Sequence, residues 1–530
     1  MPHRPFVLLF FALTLALGLS VVNDYGIGAD EYMQRMHGRV FVDYVADRLG
    51  IEDYEKLQKN KTLEEHYGHA YGPIYPMTTV VLEEALDQHS YYERYRLRHI
   101  VIFVLFWLAV IAFYRMLRQR WPAERWLPLL GAGLLFCTPR LFADAFHNPK
   151  DAVVLCFLLY GSWSLLRLIR EDNWRNLLLH SLMTGLALNT RITALFLPLA
   201  TVLLFTWAYA VHRPRQWKKL LGVPLYLGLT LLATILTNPY LWETPFTHLA
   251  EIFTTMSAFD WSGEVLFLGE IVDPKDLPWY YIPGWIAVTT PPVDLCFVVL
   301  GVVGVTYRRL RGLPKLRLWT SREGMMDLAM LGLAVGPLVA VVVLNSTLYN
   351  GWRHMHFIYP PLLFLGMWAV VRTGRWMKWA PAGYVLAGIG LLATVAQLYR
   401  LHPYQQVYFN GLAPSAPTGL TYDMDYWGLA FRRSFTELAE SVPDGQRVKV
   451  YCSPGSCQDN LRSLPPELVP RLKQVKKLEE ADFAATQFRN REEVRKAYRR
   501  EGRYAYPRVE IYAGNNLING IYDLRRARGE

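Results

Sequence analysis

Charge is scarce in this chain. Only 19% of its 530 residues are Asp, Glu, Lys or Arg, against 52% hydrophobic residues, where a soluble domain carries about 25% charged. Roughly the first 400 residues are a series of apolar segments, each near the ~20 residues that cross a hydrocarbon core. Roughly the last 130 contain no such segment. A Gly-rich phosphate loop is missing, which argues against a cytosolic NTP-driven pump. No internal repeat and no low-complexity stretch is present. A transporter or flippase of lipid-linked saccharides more often shows a two-fold repeat and mid-membrane charges, and both are lacking. Cysteine is sparse, five in all. Cys137, Cys156 and Cys296 lie in apolar segments as small core residues. Cys452 and Cys457 lie in the tail, as a local disulfide or as free thiols.

What charge there is has a pattern. The net charge of +11 comes from alternate short loops: Arg115, Arg118, Arg120 and Arg125; Arg213, Arg215, Lys218 and Lys219; Arg308, Arg309, Arg311, Lys315 and Arg317; Arg372, Arg375 and Lys378. Intervening loops are acidic, with Glu243, Glu251, Asp260, Glu264, Glu270, Asp273 and Asp276 against the single Lys275. Such alternation is a topology signal that places the basic loops in the cytoplasm, and it excludes nucleic acid as their partner. Seventeen Trp and 32 Tyr suit the two membrane interfaces.

The predicted fold class is mainly α: a polytopic bundle of about eleven transmembrane helices with a small C-terminal soluble α/β domain. The spans fall near 5–22, 97–117, 126–143, 151–168, 176–190, 193–211, 219–237, 285–306, 325–346, 355–371 and 380–399. The first exterior loop, Asn23 to Arg96, reads as interfacial helices lying along the membrane. Residues 1–400 form the membrane domain and 401–530 the exterior domain. In the latter, Trp427 to Ser441 and Arg491 to Arg500 read as helices. Segments 447–451, 481–486 and 509–512 read as strands. The N-terminus is expected in the cytoplasm and the tail outside it, in the periplasm of a bacterial inner membrane.

Ionisable residues beside apolar spans are costly unless paired or working. Four exterior segments carry them. Asp30-Glu31 follows the first span. Asp144, His147, Asn148, Pro149, Lys150 and Asp151 lie between the third and fourth. Capping accounts for Asn148 and Asp151 but not for Asp144, His147 or Lys150. Asn189-Thr190-Arg191 forms the third segment, and Tyr349 to Tyr359, with Arg353 and His354, opens the tenth span. Each alone fits an interfacial anchor. Together they put carboxylates and cations on one face of one membrane. A carboxylate accepts a proton from a hydroxyl, while Lys and Arg hold a departing phosphate.

At these residues the chain resembles the GT-C class of membrane glycosyltransferases. It resembles the protein O-mannosyltransferase and lipid A aminoarabinose transferase group (glycosyltransferase family 39-like). The resemblance rests on Asp30-Glu31, Asn148-Pro149-Lys150-Asp151, and Pro278-Trp279-Tyr280-Tyr281 followed by Thr289-Thr290-Pro291-Pro292. It also rests on Arg353-His354 before Tyr359-Pro360, on His402-Pro403-Tyr404 with Tyr408-Phe409-Asn410, and on Asp425-Tyr426-Trp427-Gly428-Leu429. The long soluble domain that eukaryotic O-mannosyltransferases insert is absent, which leaves glycan, lipid and protein acceptors open.

The resemblance implies transfer of a sugar from a polyprenyl-phosphate donor to an acceptor hydroxyl on the exterior face. Asp30 would be the general base, Glu31 would orient it or bind substrate, and Asp144 would be a second carboxylate. Lys150, Arg191 and Arg353 would hold the carrier phosphate, with Tyr349 and His354 beside them. No cofactor is required by the pattern. Asp30, Glu31, Asp144 and His147 would bind a divalent cation if they converge. His402-Pro403-Tyr404 and Asp425-Tyr426-Trp427 either dock the tail on the membrane face or touch the acceptor. A flippase and a catalytically silent scaffold are the competing readings.

Overall fold

The computed structural model describes residues 4–51, 62–212, 214–257, 261, 263–414, 418–452, 456–489 and 491–529. Arg213 and Asp260 lie outside them. Helix covers most of each predicted span, although 285–306 is divided between Tyr281–Thr289 and Pro292–Leu310. Eight helices among the described residues are long and apolar enough to cross a membrane, and nine if a bent pair counts as one span. Two further segments fall short of that measure. Trp174–Leu188 has only 15 residues, and Pro292–Leu310 carries Asp294, Arg308 and Arg309.

Local sequence sets the helix ends. Ser90 accepts from the Glu93 backbone while the Glu93 carboxylate accepts from the Ser90 backbone, and this capping box starts the 30-residue helix Tyr91–Arg120. That helix is about 45 Å long. Asn173 and Ser321 start Trp174–Leu188 and Arg322–Val343 by one-way caps, their side chains accepting from the Asn176 and Gly324 backbones. The bent pair is Leu127–Phe136 and Pro139–His147, which meet at 62°. Thr138 before Pro139 is extended, as the residue before a proline tends to be, so the chain turns there. The turn carries Asp144 and His147 into the protein interior.

Helix Tyr359–Trp376 runs through the interior, buried along most of its length. Pro292–Leu310 packs against it at Gly301, where a Cβ would lie 2.1 Å from the Leu365 carbonyl oxygen, so only glycine admits that approach.

The helices have two chemically distinct ends. At one, Arg120 binds Asp327 with Nε 2.6 Å from Oδ1, and Arg309 reaches the same carboxylate at 3.3 Å. At the other end lie Glu31, Asp151, Arg191 and Arg353. There the loop after the first span forms helices Glu31–Leu49 and Ile74–Ala85, tied by a buried charge network in which Arg35 and Arg98 both bind Glu83.

The C-terminal region is α/β. Its five-stranded sheet runs Leu472–Val475, Val448–Cys452, Phe483–Gln487, Asn516–Asp523, Pro507–Ala513. The first three strands are parallel and the last two pair antiparallel. Two of these strands, Leu472–Val475 and Asn516–Asp523, were not expected from sequence. Helix Ala430–Glu440 packs on the sheet, and Cys452 and Cys457 are joined in a disulfide.

Candidate functional site

Asp30 is held at the surface by a loop that the C-terminal region grips. The backbone of Ile27 pairs in both directions with the Asn460 side chain, at 2.8 and 2.9 Å. Ala29 donates to the Trp427 carbonyl at 3.2 Å. A Cβ on Gly26 would meet the Leu429 carbonyl oxygen at 2.2 Å, so the two segments touch through glycine. His402 Nε2 lies 2.8 Å from Asp24, and Tyr25 donates to Gln405 at 2.8 Å. Asp425 caps the next helix, accepting from Leu429 and Ala430. His402 and Gln405 therefore tie the tail to the loop that carries Asp30, while Asp425 pairs with Gln406, Leu429 and Ala430 within the tail.

The two adjacent carboxylates point apart. Glu31 is 1% exposed. It accepts from the Gly28 backbone at 2.7 Å and lies 3.0 Å from His99 Nε2. It closes the turn before its helix and faces inward. The Asp30 side chain stays 26% exposed, with Oδ2 3.5 Å from Lys150 Nζ and 3.6 Å from Arg353 Nη1.

Aromatic rings frame those cations. Lys150 Nζ stands 4.8 Å from the centre of the Tyr71 ring. The Arg353 guanidinium lies 4.7 Å from Trp427 and 5.1 Å from Tyr349, within cation–π range of both. Burial pushes the Tyr71 phenol up to about 12, so its hydroxyl remains a donor at neutral pH. His354 packs edge-on against Tyr349, with centroids 4.6 Å apart.

Behind Asp30 lies a fully buried carboxylate. Asp151 Oδ1 binds Arg191 at 2.5 Å and its Oδ2 binds Arg353 at 2.8 Å. Asn148 caps this helix start through its carbonyl oxygen, accepting from Asp151 N at 2.8 Å, and its amide reaches Asp151 and Asp144. Asp144 is buried, 2.9 Å from His356 Nδ1 and 3.6 Å from His147 Nε2.

So Asp30, Lys150, Arg191, Tyr349, Arg353 and His354 share one cluster. Asp144 and His147 sit beside it in a buried histidine–carboxylate group, and Glu31 is turned to His99. The four residues named for a divalent cation do not converge. Among the described residues no three His, Cys, Asp or Glu side chains are grouped to hold a metal. Sequence reasoning read Asp151 only as a helix cap, gave no role to His356 or Tyr71, and read Trp427 as a docking or acceptor residue rather than as a partner of Arg353. Asp151 had one usable signal, a second acid on a span that already had its cap.

Three cations, Lys150, Arg191 and Arg353, face two carboxylates, Asp30 and Asp151, leaving one positive charge over. A buried ion group is weak evidence of a site, since such groups also serve structure alone. What sets this one apart is the accessible Asp30 at its rim.

Comparison with known proteins bears on the fold. Residues 97–242 match the family model of dolichyl-phosphate-mannose-protein mannosyltransferases. No curated protein matches the chain in sequence. The oligosaccharyltransferase of Archaeoglobus fulgidus in its apo form shares the fold at 11% identity and TM-score 0.50, over 91% of this chain and 69% of that one. The same archaeal enzyme, AglB, in complex with an inhibitory peptide and a dolichol-phosphate, is similar at 12% identity and TM-score 0.50, over 90% of this chain and 65% of that one. ArnT from Cupriavidus metallidurans in the apo state covers 98% of both chains at 11% identity and TM-score 0.49. By its apolar spans, its family match and this shared architecture, the chain is a multi-pass membrane protein with the fold of the GT-C class of glycosyltransferases.

Proposed function

We propose that this protein transfers a sugar from a polyprenyl-phosphate carrier to an acceptor hydroxyl, on the non-cytoplasmic face of the membrane. The observation that carries the reading is Asp30: a partly exposed carboxylate within 3.6 Å of both Lys150 and Arg353. The AglB structure contains a dolichol-phosphate, and the family model is named for a dolichyl-phosphate sugar donor. Both are consistent with a lipid-phosphate leaving group here.

The step needs three things of the chain. Asp30 takes the proton of the acceptor hydroxyl as its oxygen bonds to the anomeric carbon. The bond from that carbon to the phosphate oxygen breaks, and the phosphate keeps the electron pair. Lys150 and Arg353 hold the charge that develops on it, while Asp151 and Arg191 keep Arg353 in place. With no covalent intermediate this is a single displacement with inversion. Without donor, Asp30 occupies the same two cations that the phosphate would take. Donor binding thereby releases Asp30 for the acceptor.

Lys150→Ala tests the donor contact cleanly, because its partner Asp30 can turn to solvent. Use of a polyprenyl-phosphate sugar in detergent should fall by roughly 10- to 100-fold, the value of one charge-assisted contact. Arg308→Ala, at an exposed position at the opposite helix ends, should leave transfer at the wild-type rate. Equal activity in both variants would remove Lys150 from the donor site.

Orientation has its own test. An alkaline phosphatase domain, active only outside the cytoplasm, should be active when fused to the C-terminus. Activity there of a cytoplasmic reporter alone would put the cluster on the wrong face for an exterior acceptor.

A further inference from the structure

A cavity of about 570 Å³ lies between the sheet of the C-terminal region and the exterior loop before helix Tyr281–Thr289. Trp261, Glu264, Asp423, Gln487 and Arg489 line it. Its volume is within the ~300–1,000 Å³ of small-molecule sites. Ring contacts lead from its wall toward the cluster around Asp30. Trp261 stacks on Tyr349 at 4.1 Å, and Tyr349 packs against Arg353. Arg489 ties the two regions together, donating to Asn350 at 2.8 Å and standing 5.7 Å from the Trp261 ring.

One group in the wall is only partly satisfied: Asp423 accepts from the Leu266 backbone and faces Arg489. Asp423 is 3% exposed, and its Oδ2 has no hydrogen-bond partner among the described residues. Burial pushes its carboxyl up to about 7, with Arg489 opposing the shift. Near neutral pH it is therefore both a donor and an acceptor. A buried polar atom without a partner is costly, and a ligand hydroxyl would satisfy it.

The charge in the cavity does not suit an anion. Three arginines line it, Arg489, Arg491 and Arg503, but so do Glu264, Asp423 and Glu493. Each arginine also has a protein acceptor: Arg489 on Asn350, Arg491 on the Gly269 carbonyl, Arg503 on Glu493. An aromatic wall with side-chain donors and acceptors, in which every arginine already has a protein acceptor, matches an uncharged polyhydroxylated ring.

We propose that this cavity binds a saccharide portion of the acceptor, with a sugar ring against Trp261 and its hydroxyls on Asp423 and Gln487. The inference rests on the transferase reading and names its acceptor class. The acceptor would reach from the cavity along the Trp261–Tyr349 stack to Asp30.

Binding of maltotriose, mannobiose and chitobiose to the full chain in detergent, followed by saturation-transfer NMR, tests it. Inorganic pyrophosphate serves as the anionic probe. At least one saccharide should bind in the millimolar range. Trp261→Ala and Asp423→Ala should each weaken it at least tenfold, and Arg308→Ala, at the opposite helix ends, should leave it unchanged. No binding by any of the three saccharides, binding by pyrophosphate alone, or saccharide binding at the wild-type level in both cavity variants would overturn the proposal. The transferase reading fails separately. An Asp30→Asn protein that transfers normally removes the base and leaves the saccharide site intact.

Discussion

Asp30→Asn is expected to lower sugar transfer by about 10²–10⁴-fold, the range that a general base contributes. The substitution is nearly isosteric and keeps an acceptor oxygen toward Lys150 and Arg353, but an amide does not take a proton from a hydroxyl at neutral pH. Its stability cost should be small, because the Asp30 side chain is 26% exposed and its ion pairs are long, at 3.5 and 3.6 Å. Donor affinity is the sharper readout. Asp30 competes with the carrier phosphate for two cations, so removing its charge should leave lipid-phosphate binding equal to wild type or tighter. Slow transfer with intact or improved donor binding is the expected pair of results. Transfer at the wild-type rate would take Asp30 out of the mechanism. Weaker donor binding would mean that Asp30 organises the cations rather than competing with phosphate.

Much of this arrangement was legible in the sequence because membranes impose strong rules. Apolar length gives the spans, and an ionisable group beside a span demands a partner. Asp30, Lys150, Arg191 and Arg353 were found that way, and the fold brings them together. What sequence left open was direction. Asp30 and Glu31 are neighbours, yet one faces the cluster and the other His99, because the Gly28–Glu31 hydrogen bond closes a turn between them. Nothing in the local pattern separates the two. Asp144 reads as exposed at a span exit, but the turn at Thr138-Pro139 folds it inward beside His356. The strands Leu472–Val475 and Asn516–Asp523 escaped notice for different reasons. The first is short and interrupted by Lys473 and Gln474. The second lies inside the sheet, and it is buried along nearly all its length despite Asn519 and Asp523, so its burial shows no alternation. The contribution of the tail to the site was the least legible of all, since Trp427 meets Arg353 across 74 positions of sequence.

Asp151 is where stability and function separate, and Asp151→Asn should show it. The carboxylate lies between Arg191 at 2.5 Å and Arg353 at 2.8 Å, and its side chain is 2% exposed against 26% for Asp30. An amide neutralises it and leaves two guanidinium groups facing one another in a buried setting, a loss on the order of 3–5 kcal/mol for a broken buried pair. The variant should therefore unfold at a clearly lower temperature in detergent, whereas Asp30→Asn should unfold near the wild-type temperature. Transfer should fall as well, because Arg353 loses the partner that holds it toward the donor phosphate. Added undecaprenyl phosphate supplies an anion beside the same arginines. It should restore part of the lost heat stability in Asp151→Asn, and more than it adds to the wild type. Equal heat stability of the Asp30 and Asp151 variants would show that the buried pair does not organise the cations. An Asp151→Asn protein that is less stable but gains nothing from the lipid phosphate would place the carrier away from Arg191 and Arg353.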